Sequence, residues 1–133
     1  MAQIKYKKGY KYQLAEKYQH NINIAGFEVN EPFFTLSVAG HLTVYAGYAW
    51  DGASGGIDTP SIMRGSLVHD VLCQMVAHDL LPGELQWKID CILHRLCLHD
   101  GMLGLRAWYV YKAVRLHFRG GNKPQQRPTI KAP

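Results

Sequence analysis

The chain has 133 residues, 47% hydrophobic and 19% charged, with a formal charge of +5. That is core material for one globular domain, which sets aside a disordered or repeat chain. The N-terminal MAQIKYKKGY has no apolar h-region, and no run nears the roughly 20 apolar residues that cross a bilayer, so neither a signal peptide nor a membrane span is expected. The basic residues gather at the ends, with Lys5, Lys7, Lys8 and Lys11 in front and Arg119, Lys123, Arg127 and Lys131 behind. They read as solvated termini, and no specific nucleic-acid motif accompanies them. Cys73, Cys91 and Cys97 cannot all pair with one another and are expected to be reduced thiols of a protein made in a cytosol.

The first third reads as β. Residues 10–18 and 21–29 carry partial apolar alternation, while residues 33–38 and 41–45 are short β-rich runs around a turn at Ala39-Gly40. These predict a small antiparallel meander over about residues 10–46, with Trp50 as scaffold just beyond it. After the loop at residues 47–60 the period becomes helical. Ser61 is the expected N-cap of a first helix over 61–78, whose opening turns Gly65 weakens, and Leu81-Pro82-Gly83 separates it from a second over 84–99. A third spans 103–118, followed by a Pro- and Gln-containing tail over 120–133. The expected architecture is a single α+β domain, a meander followed by three helices.

Residues 47–75, GYAWDGASGGIDTPSIMRGSLVHDVLCQM, hold the candidate chemistry. Asp51 and Asp58 stand among Gly52, Gly55 and Gly56, a loop whose backbone can turn sharply and aim carbonyls and carboxylates at one hard cation such as Ca2+. No Lys-Ser/Thr pair follows the last glycine, which excludes a phosphate-cradling Walker loop. The helix after it carries adjacent His69 and Asp70, which fit a division of labour between a base and a metal ligand. Asp90, beside the apolar stripe of the second helix, would be costly to bury alone and is the expected partner that orients His69. The expected step is water activated by His69 and directed at a carbonyl polarised by a metal on Asp70. His78-Asp79 and His99-Asp100 fall at helix ends and read as structural. Asp90 and His94, at i, i+4, have the spacing to bind a transition metal, but a local hydrogen bond is the favoured reading of that pair.

The order of glycine-rich loop, His-Asp helix and later helical Asp resembles the phospholipase A2 site. The resemblance implies calcium held by loop carbonyls and by the Asp after the base, here Asp51, Gly52, Gly55 and Asp70. More closely, YAGYAWDGASGG followed by SLVHDVLCQM resembles a phage- and prophage-borne family of domains of unknown function. That family carries a Gly-Tyr/Phe-x-x-Asp-x-Ala-Ser loop and a Leu-Val-His-Asp helix, and the match spans about residues 10–118. Both families usually have Tyr where this chain has Cys73.

Two function classes stay open on these residues. One is a phage-encoded, calcium-dependent lipid esterase acting on host membrane lipid. The other is a non-catalytic virion component or host-interaction factor that keeps the scaffold and binds a phage or host protein. A metal-dependent phosphohydrolase of the His-Asp class comes third, because such domains are wholly helical. Trp108, Tyr109 and Tyr111, set among Arg106, Lys112 and Arg115, suit an anionic lipid surface. Helical spacing, however, predicts that Trp108 and Tyr111 turn inward.

Overall fold

The computed structural model describes residues 6–9, 11–50 and 59–119. Its architecture is α+β, antiparallel strands followed by three helices. The chain divides into two compact units, one holding the strands and the other the helices.

The strand unit contains two small sheets. In the first, β1 (Tyr6–Gly9) pairs with β2 (Lys11–Leu14), and β2 pairs with β7 (Ala49–Trp50). Tyr12 lies opposite Trp50 in this ladder, and their rings stand 5.6 Å apart. The second sheet runs in the order β3 (Tyr18–Asn21), β6 (His41–Val44), β5 (Phe34–Leu36) and β4 (Val29–Asn30). Its register aligns Tyr18, Val44 and Phe34 in one buried row, and Leu42, Leu36 and Val29 in the next. Period-2 side-chain alternation creates these rows, because residues two apart face the same side of a strand. The turn at Ala39-Gly40 sits where expected. Gly40 has φ +93°, and a Cβ there would meet the Ile22 carbonyl oxygen at 2.8 Å, so this corner requires glycine.

The two earliest β runs form less strand than their alternation suggests. Residues 10–18 resolve into β2 and the first residue of β3, and most of residues 21–29 is irregular. The chain turns through Gly26, at φ +93°, before β4 begins. Glycine's freedom there outweighs a weak local preference for extended structure.

In the helical unit α1 (Pro60–Ala77) is buried over most of its circumference, α2 (Gln86–His99) packs against it, and α3 (Gly104–Arg119) packs against α2. A 3-10 turn at Gly83–Leu85 leads into α2. The N-cap of α1 is Thr59 rather than Ser61, because Pro60 takes the first helical position, where its fixed φ suits the helix and its missing N–H costs nothing. Ser61 lies within the first turn, its hydroxyl 3.0 Å from that of Thr59. The helix stops at Ala77, and Asp79 adopts a left-handed φ of 62°. In α3 the buried Ala107 makes the inward contact, which turns Trp108 outward, 51% exposed and capped by Lys112 at 5.7 Å, contrary to the spacing-based expectation.

Gly65 marks the close approach of α1 to α2. A Cβ there would sit 3.0 Å from Leu93 Cδ1 and 3.2 Å from Cys97 Sγ, both on buried residues. Its weakness as a helix former is therefore the condition for tight helix packing. Gly65→Ala gains about 1 kcal/mol of helix propensity but meets an overpacking cost of about 1–3 kcal/mol. A net loss near 1 kcal/mol is expected in urea denaturation; a more stable variant would show that Leu93 and Cys97 can yield.

Candidate functional site

His69 and Asp90 meet. His69 Nε2 stands 2.7 Å from Asp90 Oδ1, joining α1 to α2. A carboxylate can only accept, so Nε2 carries the proton and donates it, leaving Nδ1 as the basic nitrogen of the neutral ring. Asp90 has no exposed surface, and each of its oxygens is occupied. Oδ1 also accepts from Gln86 Nε2 at 3.0 Å, and Oδ2 accepts from Arg115 Nη1 at 2.9 Å. One buried carboxylate thus ties all three helices. Among the described residues no buried side-chain polar atom is left without a partner.

Cys73 lies one helical turn after His69. Its Sγ is 3.7 Å from both ring nitrogens and 3.4 Å from Gln86 Nε2. Equal distances place the sulfur on the plane bisecting the two nitrogens, not along the lone pair of either. Gln86 therefore divides its amide between Asp90 and Cys73.

The His69 imidazole feels opposing influences. Burial alone would lower its pKa, but a charge on Cys73, the hydrogen bonds to Asp90 and Cys73 and the Asp90 charge outweigh it and raise the value from 6.5 to about 10. The resting ring is an imidazolium. That departs from the neutral base expected of the sequence, because a ring already holding both protons gives one up before it accepts one.

Arg64 and Asp100 form a second ion pair, bidentate at 3.0 and 2.9 Å, joining α1 to the residue that follows α2. His78 and His99 lie at the C-terminal ends of α1 and α2. His94 lies against Tyr111, ring centres 5.6 Å apart and planes tilted by 48°, while Asp90 is taken up by His69, Gln86 and Arg115. Asp70 is half-buried on α1, next to His69. Asp51, Gly52 and Gly55, the other expected calcium ligands, lie outside the described residues. Among the described residues no group of three or more His, Cys, Asp or Glu is placed to hold a metal ion.

Gln86 and Arg115 were not singled out by the sequence as partners of Asp90. Gln86 had a signal, since i, i+4 spacing puts it on the same face of α2 as Asp90. Arg115 had none, because its contact depends on how α3 is set against α2. No protein-family model, curated protein or solved structure matches the chain.

Removing one partner from a buried ion pair leaves the other uncompensated, so Asp90→Ala should cost about 3–5 kcal/mol. Arg115, 28% exposed, can turn toward solvent, and Arg115→Met should cost less. His69 adds a pH dependence: its folded pKa is raised, so its contribution is complete below 6.5 and is lost as pH rises through about 10. Urea midpoints measured between these limits should fall with pH, and His69→Gln should flatten that slope. An unchanged slope would remove the imidazolium from the network.

Proposed function

We propose that the helical unit is the hydrolytic module of a phage-encoded protein, with His69 and Asp90 handling the proton in the cleavage of a lipid acyl ester. The 2.7 Å contact between His69 Nε2 and a fully buried carboxylate carries this reading. Such a carboxylate fixes the tautomer and orientation of the ring and stabilises the imidazolium, the two services a catalytic histidine needs from its partner. The resemblances to the phage-borne family and to phospholipase A2 add to it. Calcium enters through Asp70 and the loop at Asp51, Gly52 and Gly55. Among the described residues Asp70 alone represents that cage.

A lipid surface is the proposed partner. Trp108 and Tyr109 are 51% and 68% exposed on α3, beside Lys112, and amphipathic rings flanked by cations settle at headgroup depth. No helix among the described residues is long and apolar enough to cross a membrane.

The second reading is a non-catalytic virion or host-interaction protein, and the Arg115 contact favours it. An Asp90 already neutralised by Arg115, beside a His69 only 14% exposed, also describes a purely structural polar tie.

Mixed vesicles containing an anionic phospholipid separate the two. The hydrolytic reading expects fatty acid release that rises with added calcium and falls by about 100-fold or more in His69→Gln, the scale of a lost general acid–base group. It also expects co-sedimentation with the vesicles that depends on Trp108 and Tyr109 but not on His69. Vesicle binding without release in any calcium concentration would favour the structural reading.

A further inference from the structure

The hydrolytic proposal leaves Cys73 unused, although its sulfur touches two members of the Asp90 cluster, His69 and Gln86. We propose that Cys73 is the nucleophile of this cluster, accepting an acyl group from an activated carboxylic ester onto Sγ while His69 carries the proton and Gln86 steadies the sulfur. The choice of an ester rests on the hydrolytic reading; the nucleophilic thiol does not.

Geometry sets Cys73 apart from an ordinary buried cysteine. Its Sγ is 3.7 Å from both nitrogens of a histidine that a buried carboxylate orients, the nucleophile, base and orienter order of covalent catalysis. It also faces an amide donor, Gln86 Nε2, at 3.4 Å. A thiol that merely filled space would need neither. Cys73 is half-buried as a residue, unlike the fully buried Cys97.

The other two cysteines are built-in comparisons. Cys97 is fully buried, and burial first, then the Asp100 charge, opposed by Arg106, push its thiol up to about 11. Cys91 is half-buried on α2.

The reaction balances without another reagent than the ester and water. The imidazolium first releases its Nδ1 proton to solvent; Nδ1 of the neutral ring then takes the Cys73 proton as the thiol turns toward it, and the sulfur lone pair forms an S–C bond to the carbonyl carbon. The tetrahedral adduct collapses as the C–O bond to the alcohol breaks, and the alkoxide leaves with the proton from His69 Nδ1. Water, giving a proton to the same nitrogen, then attacks the thioester. The S–C bond breaks, the acid departs, and the Cys73 thiol is restored. No oxidation occurs.

Limited iodoacetamide at pH 7, followed by peptide mass spectrometry of the full chain, ranks the three cysteines. Cys73 should be alkylated about tenfold or more faster than Cys97 and than the same cysteine in the urea-unfolded chain, as an activated thiol requires. His69→Gln should erase that advantage and leave Cys91 unchanged. Gln86→Met, which keeps the His69–Asp90 contact, should reduce it in part and covers the case in which His69→Gln fails to fold. With p-nitrophenyl acetate and an acid quench, a single acetyl group should appear on Cys73. Alkylation of Cys73 no faster than in the unfolded chain, or acetyl on another residue, would overturn the proposal. Ester turnover that survives Cys73→Ser but not His69→Gln would overturn it too, leaving water activation standing. Fast labelling of Cys73 with no turnover of any ester would support the nucleophile and refute hydrolysis.

Discussion

The helical unit depends on the Asp90 carboxylate. A charged oxygen pair with no access to water is tolerated only when hydrogen bonds and opposite charge replace its hydration. Here His69 comes from α1, Gln86 from one turn earlier on α2, and Arg115 from α3. The same requirement that stabilises the carboxylate fixes the relative positions of three helices, because no one helix could satisfy both oxygens. Gly65 lets α1 approach α2 closely where Leu93 and Cys97 pack, and the bidentate Arg64–Asp100 pair joins α1 to the residue following α2.

That network decides what chemistry the histidine can do. A ring facing a carboxylate and a thiol is a proton holder first, and its raised pKa follows from these neighbours in spite of burial. Taking a proton, from water or from a thiol, needs the neutral ring, so the network sets the pH at which either can begin. Cys73, one helical turn after His69, sets a sulfur 3.7 Å from both ring nitrogens.

Much of the fold was legible because its signals are local. The three helices, the Gly40 turn and the change from period 2 to period 3.6 all follow from residues close in sequence. Within the site, the His69–Asp90 pair could be anticipated, since a carboxylate beside an apolar stripe demands a partner. The split of the first β runs was not legible, because Gly26 overrides a weak alternation. Nor was the Arg115 contact, which only tertiary packing creates. The outward turn of Trp108 goes with the burial of Ala107, whose place on an apolar stripe with Val110 and Val114 is readable from helical spacing.

The most direct test of the network is the protonation state of His69 at pH 7, read from the 15N shifts of its ring in the full-length protein. The Asp90-centred network predicts an imidazolium, with both nitrogens protonated and a slowly exchanging Nε2 proton shifted downfield by the carboxylate. A neutral ring, or an Nε2 proton exchanging as fast as in an exposed histidine, would contradict it.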